Sequence, residues 1–139
     1  MDTLIKVKSI DEQNEYNCFR SAEEVANERG LIVVYPKPNQ LQIDIDSEEQ
    51  WTEFMRRKEF FDEFFWGGSI TYDIKITDSA SGQPKKHITM TFKDREFDHY
   101  QRMVYQAALN DDPKRTFLGL ARLLRGESDN PPTTLFEVQ

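Results

Sequence analysis

From Leu41 the chain alternates apolar and polar positions, with Leu41, Ile43 and Ile45 against Gln42, Asp44 and Asp46. Residues i and i+2 of a strand share a face, so this pattern predicts a half-buried strand with two acids on its polar side. The alternation returns in Ile70, Tyr72, Ile74 and Ile76 against Thr71, Asp73, Lys75 and Thr77. It returns again with Ile88, Met90 and Phe92 inward and His87, Thr89, Thr91 and Lys93 outward. A Ser/Gly/Pro loop from Asp78 to Pro84 joins these two strands as a hairpin. Between the first and second strands the period lengthens: Trp51, Phe54, Met55, Phe61 and Phe65 fall on one helical face. Ser47 is its N-cap, Gln50 completes a capping-box pattern, and Gly67 and Gly68 end it.

Two further helices follow. Asp94 or Asp98 caps the first, which carries Phe97, Tyr100, Val104, Ala107 and Ala108. Asn110 to Pro113 breaks it, and Asp112 with Pro113 opens the second, whose stripe is Phe117, Leu120, Ala121 and Leu124. Gly126 stops that helix, and Thr133 to Val138 reads as a last strand. Upstream, a polar lead-in precedes a helix over Ser21 to Glu28, which Gly30 stops, and a short strand from Leu31 to Tyr35 closed by Pro36 and Pro38. The core expected from these periods is Ile43, Ile45, Trp51, Phe54, Ile74, Met90, Phe92, Val104 and Leu120.

From residue 40 onward the order is strand, helix, strand, strand, helix pair, strand. That order predicts an α+β fold of the ferredoxin-like, RNA-recognition-type split βαβ kind: a four-stranded antiparallel sheet with helices on one face. Residues 1–39 form an N-terminal extension and 40–139 the core, together one compact domain. The first and third strands are then central neighbours. This brings Asp44 and Asp46 beside Lys86 and His87 on the open sheet face, with Lys75 and Thr77 of the second strand at the same end.

Adjacent carboxylates on one face repel unless solvent screens them or a cation lies between them. Asp44 and Asp46 are therefore candidate ligands for Mg²⁺ or Mn²⁺, and His87, Lys86 and Lys75 candidate phosphate or nucleotide contacts. A third ligand or base is needed for catalysis, and the sequence offers Asp73 and Glu137. The same two acids also suit a solvated strand end ahead of a helix N-terminus, where negative charge meets the helix dipole.

Composition narrows the partners. The 139 residues hold 25 acidic and 18 basic side chains, a net charge of −7, which opposes broad binding to a polyanion unless a metal or basic patch reverses the field. One cysteine, Cys18, cannot form an internal bridge, and the Met-Asp start lacks a basic leader. With no apolar run of spanning length, the expectation is a cytoplasmic protein without a membrane segment.

IDID followed by a capped helix, then a serine/glycine loop into a strand led by a histidine, resembles the two N-terminal motifs of the archaeo-eukaryotic primase superfamily. The resemblance implies that the acidic pair binds metal and the histidine meets an incoming nucleotide. The third motif of that superfamily, a hydrophobic residue followed by Asp on a later strand, is missing, which tells against polymerisation; the implied activity is binding of a nucleotide or nucleic-acid end, with or without turnover. Over about a hundred residues, from GLIVVYPKPNQLQIDIDSEEQW through SASGQPKKHITM to YQAALNDDPKRTFLGLARLLRG and TLFE, the chain is similar to small uncharacterised bacteriophage proteins. That likeness implies the cytoplasm of a host cell. A rival reading is a non-enzymatic phage protein that engages a host or phage protein through its acids and its surplus aromatics Phe60, Phe61, Phe64, Phe65 and Trp66. Lys114, Arg115, Arg122 and Arg125 read as the solvated basic side of the last helix, and Cys18 as neither nucleophile nor ligand.

Overall fold

The computed structural model describes residues 22–66, 72–78, 85–126 and 133–138. Readings on the polar lead-in with Cys18, on Gly67, Gly68 and Ile70, and on residues 79–84 of the hairpin loop lie outside the described residues. The elements are α1 (Ala22–Arg29), β1 (Leu31–Val34), β2 (Gln40–Ile45), α2 (Glu48–Phe60), β3 (Tyr72–Asp78), β4 (Lys86–Phe92), α3 (His99–Ala108), α4 (Pro113–Leu124) and β5 (Leu135–Val138). Phe61–Phe65 continues α2 as a π-helical turn. Among the described residues no helix is long and apolar enough to cross a membrane.

Local chemistry accounts for most boundaries. Gly30 and Gly126 end α1 and α4 in the left-handed region, with φ of 67° and 80°, where a side chain is strained. Asp98 caps α3 with a complete capping box to Gln101, and Asp112 caps α4 with Pro113 in its first turn. Ser47 caps α2 through Gln50 N–H. The Gln50 side chain does not return to Ser47; its Oε1 accepts instead from Asp46 N–H at 2.7 Å.

The α+β class is present, and the sheet differs from the expected one. β2, β4 and β3 form a three-stranded antiparallel sheet in that order, with Asp44 opposite His87 and Thr77 opposite His87. β5 does not add to β2 as a fourth strand; it pairs antiparallel with β1 in a separate two-stranded sheet, Leu31 opposite Val138. The reason lies on the outer edge of β2. Arg102 Nε donates to Gln40 O, Gln106 Oε1 accepts from Gln42 N–H, Arg115 Nη1 donates to Gln42 O, and Asp111 Oδ1 accepts from Asp44 N–H. Side chains from α3, α4 and the turn between them thus take the bonds a fourth strand would have made on this edge.

The apolar face of the three-stranded sheet holds the core. Leu41, Ile43, Ile45, Ile88, Met90 and Phe92 pack with Phe54, Trp66, Phe97 and Leu109, flanked by Trp51, Phe61, Tyr72 and Tyr105. Three expected core residues are elsewhere: Val104 is 66% exposed, Leu120 44% and Ile74 39%. α3 buries Arg102, Met103 and Gln106 rather than the Val104 side, because its polar residues are needed at the β2 edge. Ile74 belongs to β3, at the sheet margin.

The polar face is not uniformly open. Gln42 is buried, its amide donating to Val34 O of β1 at 3.2 Å and accepting from Arg115 Nη2 at 3.3 Å. His87 is buried as well, while Asp73 and Lys75 on β3 are exposed.

Candidate metal centre

Asp44 stands at the penultimate position of β2 and Asp46 just after its end, ahead of the Ser47 cap. Alternation turns both acids to the polar side. The turn from α3 to α4 then delivers a third carboxylate. Asn110 adopts φ 74°, a left-handed conformation that asparagine tolerates better than most residues, and this redirects the chain toward β2. Gln50 fastens the turn: its Nε2 donates to Asn110 O at 2.7 Å and to Asp44 O at 2.8 Å, and Asn110 Nδ2 donates to Gln50 O at 3.2 Å. Asp112 N–H donates to Asp44 O at 3.2 Å. The result is that carboxylate oxygens of Asp44, Asp46 and Asp112 lie within 4.8 Å of one another.

Beneath this group, Asp111 and Arg115 form a buried pair. Asp111 Oδ2 accepts from Arg115 Nη1 at 2.8 Å while its Oδ1 accepts from Asp44 N–H at 2.7 Å. Burial pushes the Asp111 carboxyl above the ordinary range, against the opposing pull of Arg115 and the N–H donors. Asp44 is pushed up to about 7, first by burial; Arg115 pulls it down, and Asp46, Asp111 and Asp112 push it further up. Asp112 is also raised, by burial and by Asp46, although the Lys114 N–H bonded to it acts in the other direction. Concentrated negative charge, partly withdrawn from water, is therefore the dominant property of the site.

His87 faces Asp44 across the strand pair, with Nε2 3.6 Å from Asp44 Oδ1. Lys75 is on the same face, opposite Thr89 and two residue pairs farther along the sheet than His87. Lys86 is not there. One residue from His87, it points to the other face, with its ammonium 5.6 Å from the Trp51 ring centroid and 3.7 Å from Asp78. A period of two cannot put Lys86 and His87 on one side. Asp73 lies opposite Thr91, 3.9 Å from Lys93, toward the far end of β3. Glu137 sits on β5, in the other sheet.

The residues missed in the sequence are Asp112, Asp111, Gln50 and Arg115. In the sequence Asp112 and Gln50 read as helix caps, and Arg115 as a solvated position. The signal was the doubled acid Asp111-Asp112, of which a helix cap needs one.

Three carboxylates suit a hard divalent cation. Octahedral Mg²⁺ or Mn²⁺, with oxygens about 2.1 Å from the metal, sets those oxygens roughly 3 to 4 Å apart, a spacing the group here can reach with small side-chain rotations. No family model matches the chain, and comparison with curated proteins and with solved structures also gave no match.

Proposed function

We propose that this protein binds a divalent cation, Mg²⁺ or Mn²⁺, through Asp44, Asp46 and Asp112, and through it a nucleotide or nucleic-acid end. The observation that carries the reading is the convergence of three carboxylates from β2 and the α3–α4 turn within 4.8 Å. A bound cation supplies charge neutralisation here and a Lewis-acidic contact for phosphate oxygens. His87, beside Asp44, would orient a phosphate oxygen, and Lys75 on the exposed part of the same face would add a positive charge farther along. Lys86 has no part in it. The β2–α2–β3–β4–α3 order and the antiparallel pairing of the Asp44 and His87 strands support a reduced primase-like, ferredoxin-like core of the kind the IDID and histidine motifs imply.

Calorimetry of the full chain with Mn²⁺ tests this. The expected result is one site per chain, abolished in Asp44→Asn plus Asp46→Asn, with a nucleoside triphosphate binding more tightly in the presence of Mn²⁺ and less tightly in His87→Ala. No heat above dilution at millimolar Mn²⁺ overturns the reading.

One observation favours the non-enzymatic alternative. Tyr100 and Val104 of α3, Phe117, Leu120 and Leu124 of α4, Phe60 at the end of α2, and Phe64 and Phe65 in the π-helical turn after it are exposed apolar side chains. Surface of this kind suits a protein partner. A chain that binds no Mn²⁺ but is captured by such a partner would put that reading first.

A further inference from the structure

The two outer edges of the three-stranded sheet are treated differently. On β2 the groups of Gln40, Gln42 and Asp44 point outward and are bonded by Arg102, Gln106, Arg115, Asp111 and Gln50. Their neighbours Leu41, Ile43 and Ile45 therefore face β4 and exchange bonds with Met90, Ile88 and Lys86. Carried across β4, the same alternation directs Thr91, Thr89 and His87 toward Asp73, Lys75 and Thr77. On β3, then, the N–H and C=O of Tyr72, Ile74 and Ile76 point away from the sheet, and among the described residues no strand pairs with them.

This edge is also apolar. Ile74 and Ile76 are 39% and 45% exposed. Trp51, Met55, Lys58 and Asp62 form one stripe of the helix above. Lys58 lies 5.5 Å from the Tyr72 ring centroid and Asp62 accepts from Tyr72 Oη, so the stripe runs beside β3, with Met55 exposed within it. A seven-residue strand with outward-pointing backbone and exposed isoleucines is a template for another strand.

The sequence of β3 selects the partner. In a two-fold antiparallel pairing centred on Lys75, the lysine meets its own copy. Centred on Ile76, Ile74 meets Asp78 and Lys75 meets Thr77. Centred on Ile74, the isoleucine meets itself, Tyr72 meets Ile76, and Asp73 meets Lys75 twice, once on each side of the axis. The last register also places Ile74 as a hydrogen-bonded pair and the two Asp–Lys pairs at the non-hydrogen-bonded positions, where side chains approach most closely.

We propose that the outer edge of β3 pairs antiparallel with the same edge of a second copy of this chain, centred on Ile74, so that the two three-stranded sheets become one continuous sheet. Asp73 lies 3.9 Å from Lys93 in a solvated pair of its own chain, loose enough to be shared with Lys75 of the copy.

Sedimentation equilibrium of the full chain, from micromolar to several hundred micromolar at low and high salt, tests this. A reversible dimer that weakens with salt is expected. Asp73→Lys and Lys75→Asp should each raise its dissociation constant at least about tenfold, since the axis doubles every change. The combined swap should restore the dimer by re-forming both cross-strand pairs, a rescue that misfolding cannot imitate. Ile74→Pro should leave a monomer of unchanged circular dichroism, because the lost N–H faces outward. A monomer at all concentrations, a dimer indifferent to the single charge reversals, or a swap that fails to restore it would each overturn the proposal.

Discussion

Asp111 and Arg115, four residues apart across the start of α4, close a 2.8 Å ion pair at the outer edge of β2, with the carboxylate fully buried and the guanidinium nearly so. Both partners also bond to the strand, Asp111 to Asp44 N–H and Arg115 to Gln42 O. The pair is therefore part of the sheet's hydrogen bonding rather than an ornament of the helix. Arg115 extends the same hold to Thr134 O, just before β5.

Breaking this pair from either side leaves a buried charge without its counterion. Asp111→Ala is expected to cost about 3–5 kcal/mol, and Arg115→Ala a similar amount. The double variant should lose less than the sum of the two, because neither charge is then stranded. Urea denaturation of the three variants measures it.

Asp44 sets the response to pH. Its carboxyl is raised from an ordinary 3.8 to about 7, so between those values the folded chain holds a proton that the unfolded chain has released. The Asp44 contribution to stability is thus full below about pH 4, falls as pH rises through 7, and changes no further above it. Urea midpoints should show this loss between about pH 4 and 7, and Asp44→Asn should flatten it. Mn²⁺ binding near pH 6 should release about one proton from this group, and above pH 8 none, as calorimetry in buffers of different ionisation enthalpy would register.

Asp112 separates ligand from cap. Asn caps a helix about as well as Asp, so Asp112→Asn should leave the stability within about 0.5 kcal/mol of the parent while weakening Mn²⁺ binding on the order of tenfold or more. Asp73→Asn, on β3 and away from the group, should leave Mn²⁺ affinity unchanged.

The turn that brings Asp112 to β2 depends on a left-handed Asn110. Ala in its place is expected to cost about 1–2 kcal/mol in backbone strain and to lose the bond to Gln50 O as well. Asn110→Gly keeps the backbone free to adopt φ 74° and should cost less. Melting curves rank the two.

Core placement gives a direct contrast. Phe54→Ala should cost about 3–5 kcal/mol, since the ring is fully buried beside Trp51. Val104→Ala should stay within about 0.5 kcal/mol, since that side chain faces solvent.

Strand alternation, helix period and element order in the sequence were enough to place Asp44 against His87, to pair β4 with β3, to cap two helices at Ser47 and Asp112, and to narrow the cap of α3 to Asp94 or Asp98, of which Asp98 is the cap. They fell short where a polar side chain performs a task ordinarily done by backbone. Arg115 reads as a solvated helix position, and helix period singles out neither Arg102 nor Gln106, yet all three are spent on the edge of β2, and β5 pairs with β1 instead. Lys86 was misplaced for a simpler reason: adjacent residues of a strand cannot share a face. The exposed stripe of α4 likewise has the right period, but period alone does not say whether a partner covers it.

An edge closed by side chains also bears on how the chain assembles. The bonds from Gln106 to Gln42, Asp111 to Asp44 and Arg115 to Gln42 span 64, 67 and 73 residues. None can form until the hairpin and α3 have arrived, so β2 must wait with its outer amides in water while most of the chain finds its place. Loop closure over such distances is slow, and this late step should limit the refolding rate. In a pulse of hydrogen exchange during refolding, the Gln42 and Asp44 amides would gain protection after those of Ile43 and Ile45, dividing one strand into an early side and a late one.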